Sequence, residues 1–303
     1  MAINRSQTQM KRYFSICVSK YEHSKLFEVV RPASLDNPKN NAVMFITEQY
    51  MSKAERLYDI SECLVFWPEN IEIPDPLAKA HAIVKCENPH NEYCRFFRDN
   101  SIAYLPPKEA MSFTEGAWIA EKAILGSNVT IMPGAYIGGG CTIGNNVYIG
   151  CGTKIVGEVT IGNDVVIREN TVIGADGLTT DREIDGSAIT MPQFGSVIIE
   201  DAVQIGANTV IARGAIDETR ICRGAKIDNA CFISHNVTVG EDSFIVGETI
   251  MFGSSSSGKQ SMISGNSTIR NGVVVGEHAL VGMGSVVVKS VSEGAVVKGN
   301  PAK

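Results

Sequence analysis

From Ile119 to Ile173 every sixth residue is aliphatic: Ile119, Leu125, Ile131, Ile137, Ile143, Ile149, Ile155, Ile161, Ile167 and Ile173. The residue two places before each is small or branched, as in Ala117, Ala123, Val129, Ala135, Cys141 and Val147. A period of six matches neither the 3.6 of an amphipathic helix nor the 2 of a strand. Short self-similar units of this kind build a solenoid, in which each unit buries its apolar side against the next. Six residues supply one short extended segment and one corner. Three such segments close a triangular coil, with the aliphatic side chain on the axis and the small one beside it. Glycine often follows the aliphatic residue, as in Ile137-Gly138 and Ile143-Gly144, and is expected to give the corner its backbone freedom.

The period resumes twice. Ile199, Ile205 and Ile211 are in step, and a third run goes from Ile221 through Ile227, Ile233, Val239, Ile245 and Met251 to Val287, with Ser257 the one polar axial residue. Two interruptions separate the runs: a long one from Gly174 to Ser196 and a short one from Ala212 to Arg220. A regular rod carries no chemistry in itself, so function is sought where the period breaks and in the polar residues that decorate it.

Before the repeats the pattern changes. Ala42–Ile46, Cys63–Phe66 and His81–Lys85 read as buried strands, and Tyr13–Val18 as a further one. Thr47 is placed to cap a helix through Met51, Ala54 and Leu57, and Asn88-Pro89 to open another through Tyr93, Phe96 and Phe97. Alternating strands and helices predict a small α/β domain over residues 1–105. A linker at 106–112 then leads to a β-solenoid over 113–303 that carries the 174–196 loop.

Composition narrows the function. A net charge of −6 with no basic block argues against nucleic acid as a partner. The start is polar and mixed, and no apolar run reaches eighteen residues, which predicts a cytoplasmic protein without membrane insertion. The eight cysteines form no C-x-x-C pair and no zinc spacing, so they are expected to be reduced packing residues, with no metal required. Of five histidines, His235 and His278 lie in the repeats. His235 stands two past axial Ile233, and one eighteen-residue coil further on is Gly253. That stacking is expected to leave a slot beside the imidazole, continued by the small residues Gly253–Gly258. His278 reads as a corner residue.

The ordered set Thr171-Val-Ile-Gly-Ala-Asp-Gly, Pro192-Gln-Phe-Gly, Arg213-Gly-Ala-Ile-Asp-Glu-Thr and Ile233-Ser-His-Asn-Val-Thr-Val-Gly resembles the UDP-3-O-acylglucosamine N-acyltransferases of lipid A synthesis. The resemblance covers residues 25–290 and is weaker before 110. It implies a left-handed parallel β-helix with hexapeptide repeats, a homotrimer, and His235 as the catalytic base. It also suggests an oxyanion site at a backbone N–H near Gly253. Proton removal from an attacking amine suits an imidazole, whose ordinary pKa is about 6.5. Asp228, and after it Asp217, are expected to orient the ring, with Asn229 and Asn236 beside the substrate. In the first domain Phe45 and Tyr50 stand where the family stacks a uracil, with Thr47 and Glu48 in place of the family's amide and a spacing one residue shorter. Val273 replaces a second histidine of the enterobacterial form.

The ending Lys298-Gly-Asn-Pro-Ala-Lys303 is instead similar to the tail of CoA-dependent hexapeptide acetyltransferases. Lys289, Lys298 and Lys303 are then candidates for the CoA phosphates. The expected function is N-acylation of a nucleotide-linked amino sugar from acyl-CoA in surface glycan synthesis. One alternative is the lipid A N-acyltransferase itself, with acyl carrier protein as donor. Another is a β-helix that only binds sugar nucleotide or scaffolds.

Overall fold

A computed structural model describes residues 12–21, 26–102 and 108–303. Contacts divide the chain into two units, Met1–Tyr104 with Thr179–Pro192, and Leu105–Leu178 with Gln193–Lys303. The middle of the long interruption therefore groups with the first unit, whereas the sequence assigned it to the solenoid domain.

In the first unit, strands β1 (Ile16–Cys17) and β2 (Glu28–Val29) pair antiparallel. Strands β3 (Arg31–Pro32), β4 (Ala42–Phe45), β5 (Leu64–Pro68) and β6 (Ala82–Cys86) form a parallel sheet in that order. All of β5 is buried, as expected of a parallel strand covered on both faces. Pro68 is the last residue of this strand. The segment after Thr47 is a 3-10 helix, Glu48–Asp59, and the Thr47 hydroxyl makes no capping bond. Helix α1 (Asp75–Ala80) joins β5 to β6, and helix α2 (Pro89–Asp99) packs on β4 and β5 through Tyr93, Phe96 and Phe97. Asn88 caps α2 by accepting the Asn91 N–H at 3.1 Å, and Pro89 opens the first turn. The hairpin of Thr180–Arg182 and Ala188–Thr190 belongs to this unit and packs on α2.

The second unit is the coil that the period predicts. Its described strands form three sheets of nine, ten and eight. Axial residues stack on axial residues: Ile137 on Ile155, Ile143 on Ile161, Ile149 on Ile167. The interruptions are looped out without loss of register, because Ile173 pairs with Ile211 and Ile211 with Ile233. The axial column is buried from Ile137 onward. In the first coil Leu125 is 38% exposed, since among the described residues no coil precedes it. Ser257 is accommodated on the axis because its hydroxyl accepts the Gly240 N–H at 3.1 Å. The 106–112 linker ends in structure, since Met111–Thr114 is a strand pairing antiparallel with Ala117–Ala120.

The corners differ from expectation. The left-handed position is the third after the axial residue, and it is mostly not glycine: Asn128, Asn146, Asp164, Asn208 and Asn236 all have φ between 55° and 59°. Asparagine and aspartate tolerate this conformation best among side-chain-bearing residues. The glycine directly after the axial residue serves close stacking. A Cβ on Gly144 would stand 2.5 Å from the Gly162 carbonyl oxygen, and one on Gly126 as close to that of Gly144.

Candidate functional site

The coil has three vertices, and the ladder register says which residues share one. Ile233, Met251, Ile269 and Val287 are paired in succession. His235, Gly253, Asn271 and Lys289, each two residues further on, therefore form one column where the ten-stranded sheet meets the eight-stranded one. Arg213 occupies the coil before His235, because Ile211 pairs with Ile233.

The imidazole of His235 lies between two glycines. A Cβ on Gly253 would come within 2.5 Å of its Cε1 and 2.6 Å of Nε2. On the other side a Cβ on Gly177 would stand 2.8 Å from the His235 Cβ and 3.0 Å from Cδ2. The space expected beside the ring is occupied by the ring itself, and the glycines are what admit it. Nδ1 faces the Asn236 Oδ1 at 3.1 Å. The same oxygen accepts the Ala215 N–H at 3.0 Å, which identifies it as the carbonyl end of the amide. Nδ1 must then carry the hydrogen and donate it, leaving Nε2 as the basic nitrogen. No hydrogen bond among the described residues takes up the Gly253 N–H.

Asp228 does not orient this ring. It stands on a different vertex, at the far end of strand Phe232–Ile233, and its carboxylate accepts the Asn229 N–H at 2.8 Å and the Gly247 N–H at 3.1 Å. Asn229 shares that vertex, where its side-chain oxygen accepts the Ala207 N–H at 2.7 Å. Both line a groove of about 570 Å³ with Arg168, Gln204, Lys226 and Phe244, away from the His235 column. Asp217 contributes its carbonyl to a tight backbone crossing with Gly195 and Gly214. Asn236, expected beside the substrate, is the partner of the imidazole. His278 is a left-handed corner residue, φ 55°.

Sequence reasoning gave no role to Asp176, Gly177 or Arg213. Arg213 donates from Nε to the Asp176 Oδ1 at 2.7 Å and pairs with it through Nη2 at 2.5 Å. The lengths of the two interruptions, added to the eighteen-residue coil, carry the signal that brings these residues together.

Lys289 shares the His235 vertex. Lys298 and Lys303 are drawn together elsewhere by reciprocal main-chain hydrogen bonds of 3.1 and 3.2 Å, and all three side chains are exposed. The thiols of Cys141 and Cys231 are pushed up by burial, to about 12 and about 11, which makes them poor nucleophiles. No group of three metal-binding side chains occurs among the described residues, and no helix there is long and apolar enough to cross a membrane.

In the first unit Phe45 and Tyr50 do not meet as a pair. The Phe45 ring lies against His90 and Tyr93, with centroids 5.1 and 4.9 Å away. Tyr50 is half exposed, with the Lys53 ammonium 5.2 Å from its ring centroid. Between them Thr47, Glu48 and Gln49 line a crevice of about 710 Å³ with Pro68, Glu69, Asn70, Glu87, Asn88 and Pro89. It opens at the carboxyl ends of β4, β5 and β6, where parallel α/β sheets bind ligands.

Fold and repeats together define a left-handed parallel β-helix of hexapeptide repeats. The hexapeptide family of bacterial transferases matches residues 122–157 and 140–175, and the hexapeptide repeat of succinyl-transferase matches 258–289. The chain is similar to proteins named UDP-3-O-acylglucosamine N-acyltransferase. It is 51% identical over 79 residues to one from Francisella tularensis, covering 26% of this chain and 23% of that protein. To one from Wolinella succinogenes it is 36% identical over 135 residues, covering 45% and 42%. The matched part thus spans less than half the length of either relative. Among solved structures, the UDP-N-acetylglucosamine acyltransferase of Campylobacter jejuni superposes with a TM-score of 0.55 at 25% identity, over 63% of this chain and 73% of that one. The same enzyme from Bacteroides fragilis gives 0.54 at 22% identity, over 63% and 73%, and shares the fold.

Proposed function

We propose that this chain is an N-acyltransferase that moves an acyl group from a thioester to the amine of a nucleotide-linked glucosamine, with His235 as general base. The observation that carries this reading is the imidazole held between Gly177 and Gly253, with Nδ1 donating to Asn236 and Nε2 left basic. In the step, the sugar nitrogen attacks the thioester carbon and a C–N bond forms. Nε2 takes the proton released from the amine. The Gly253 N–H is the candidate donor to the tetrahedral oxyanion. Collapse breaks the C–S bond, and the imidazolium returns its proton to the thiolate, so that amide and free thiol result.

Similarity to the UDP-3-O-acylglucosamine N-acyltransferases favours a 3-O-acylated UDP-glucosamine as acceptor over the wider class of surface-glycan amino sugars. It equally favours acyl carrier protein as donor. The crevice at Thr47–Gln49 and Glu87–Pro89 is the candidate site for the nucleoside, and Phe45 and Tyr50 flank its Thr47–Gln49 wall in sequence. Its three glutamates suit ribose and base donors better than phosphate. For assembly we propose a homotrimer. The outer column of the ten-stranded sheet runs Val172, Val210, Phe232, Ile250, Thr268, Val286, an apolar stripe suited to self-association.

A second reading, with acyl-CoA as donor, is favoured by the place of Lys289 on the His235 vertex and by the exposed Lys298 and Lys303. One assay separates the two: acyl-CoA and acyl carrier protein are offered in turn with UDP-3-O-acylglucosamine, to the wild type and to His235→Ala. Loss of at least about 10²-fold in turnover, with the fold retained, supports the mechanism. Turnover near wild type in His235→Ala refutes it, and a chain inert with every donor is a scaffold.

A further inference from the structure

We propose that the Asp176–Arg213 ion pair is a positioning device for His235: it pins the start of the long interruption so that Gly177 braces the imidazole. The inference rests on the reading of His235 as general base, and it concerns residues to which neither the repeat pattern nor the resemblance gives a role.

The device is built in register. Gly174 adopts φ 85°, and the ladder slips between Ile173 and Ala175 as they pair with Ile211 and Ala212. A Cβ on Gly174 would fall 2.0 Å from the Val156 carbonyl oxygen, so only glycine makes this bulge. The slip moves Asp176 out of the coil's normal phase and onto the Arg213 guanidinium. Arg213 is anchored independently, because its N–H donates to the Ala175 carbonyl at 2.9 Å. Its Nη1 spreads over Gly157, where a Cβ would stand 3.1 Å away. The two charged side chains are 16% and 23% exposed, so the pair is partly shielded from water. Two guanidinium nitrogens converge on one Asp176 oxygen, and two charge-assisted contacts to a single atom restrict where that carboxylate can lie.

Gly177 follows Asp176 directly and meets the Cβ–Cδ2 edge of His235, while Gly253 meets the Cε1–Nε2 edge. With the ring thus confined on both sides, Asn236 holds Nδ1. If Asp176 releases Arg213, Gly177 is free to leave, and the ring gains a second rotamer in which Nδ1 loses Asn236 and the tautomer is no longer fixed. The bulge, the ion pair and the brace thus act in sequence on one torsion.

Asp176→Asn tests this while keeping the side-chain shape. Arg213→Lys keeps the charge but removes the two-point contact, and Gly177→Ala blocks the brace. Histidine labelled with carbon-13 at Cδ2 reports the tautomer directly, and His235→Gln assigns the resonance among the five histidines. In Asp176→Asn the His235 Cδ2 resonance should move toward that of an averaged tautomer. In the same variant kcat for acyl transfer should fall about 10- to 10²-fold with KM within about twofold, as misplacement of a catalytic group does. Arg213→Lys should lie between Asp176→Asn and the wild type. An unmoved resonance in both Asp176→Asn and Arg213→Lys overturns the proposal, whatever Gly177→Ala does to folding. A resonance that moves while kcat does not supports the positioning and removes His235 from the chemistry.

Discussion

The Nδ1 of His235 lies 3.1 Å from the side-chain oxygen of Asn236, the next residue in the chain. Adjacent side chains in a strand point to opposite faces, so such a pair forms only at a corner. Here the left-handed conformation of Asn236, φ 59°, turns its amide back toward the ring. The same oxygen takes the Ala215 N–H, and the main-chain N–H of Asn236 donates to the Thr219 hydroxyl at 2.8 Å. Ala215 and Thr219 both lie in the short interruption or at its edge, which gives that four-residue lengthening of the coil a purpose. It supplies the N–H that fixes the amide that fixes the imidazole.

Asn236→Gly keeps the left-handed corner and removes the amide. Its kcat should fall about 10- to 10²-fold while KM for both substrates holds, because the base loses its tautomer and not its substrates. Asn236→Asp keeps an acceptor for Nδ1 and adds a negative charge beside it, which favours the imidazolium. The acidic limb of its rate profile should move to higher pH. A rate profile that does not move, together with an unaffected kcat in the glycine variant, would show that Asn236 only turns the chain.

The rod was legible because a six-residue period admits few other folds and because each axial side chain repeats the same instruction. Glycine's reason for following the axial residue was not, because contact between stacked backbones appears only when coils are laid on one another. Asp228 is not the residue that meets the imidazole; Asn236 is. Seven residues of separation place Asp228 and His235 at opposite ends of one strand, on two vertices. Counting the coil as eighteen also brings Asp217 beneath His235, whereas the lengthened coil brings Arg213 there. Register through an interruption is tertiary information, set by which carbonyl the returning strand meets. In the first unit the strand pattern of β4, β5 and β6 was readable from apolar runs. The 3-10 form of Glu48–Asp59 was not, since its apolar spacing suits an α-helix equally.

Two glycines on the rod should respond oppositely to one methyl group. A Cβ on Gly144 meets the Gly162 main chain at 2.5 Å, which cannot move without opening the coil. Gly144→Ala should destabilise by about 1–3 kcal/mol, as overpacking does, and lower Tm. The three nearest atoms to a Cβ on Gly253 all belong to the imidazole of His235, a side chain whose displacement leaves the stacked main chain in place. Gly253→Ala should melt near the wild type yet lose acyl transfer about as severely as His235→Ala. Equal Tm losses in the two variants would contradict the distinction between stacking glycine and site glycine.

Lys289 offers a separate test of the donor. It shares the His235 vertex, whereas Lys298 and Lys303 are held together by the main chain elsewhere. If the donor's phosphates run along that vertex, Lys289→Glu should raise KM for acyl-CoA about 5- to 20-fold, the loss expected of one charge-assisted contact, with kcat unchanged. Lys303→Glu should then do less. Equal, small effects from both would mean that the lysines are merely solvated.

The hairpin of residues 180–190 is held to α2 by carboxylates, and acid should release it. Glu183 pairs with Arg95, at 2.9 Å through Nε, and with Arg98. Asp181 accepts from His90 at 3.0 Å and from Asn88 at 3.2 Å. The Arg95 hydrogen bond, helped by Arg98, holds the Glu183 carboxyl below the usual carboxylate range. Burial acts to raise Asp181, but the Arg182 N–H and His90 together outweigh it and leave that carboxyl lowered as well. The Arg182 N–H stays with Asp181 whether or not the hairpin is docked, whereas Arg95 and Arg98 reach Glu183 only from α2, so Glu183 titrates lower when docked than when released and the docked hairpin binds fewer protons through that range. The Glu183 contribution to docking is therefore fully present above the ordinary carboxylate pKa and is lost as pH falls through the lowered value. Limited proteolysis at 183–187 should accelerate in that acid window and stay slow at neutral pH. Glu183→Gln should show about two- to fivefold faster cleavage already at neutral pH, the scale that partly exposed ion pairs supply, with a weaker acid dependence. Cleavage that is independent of pH in the wild type would mean that apolar packing, and not these carboxylates, holds the hairpin on α2.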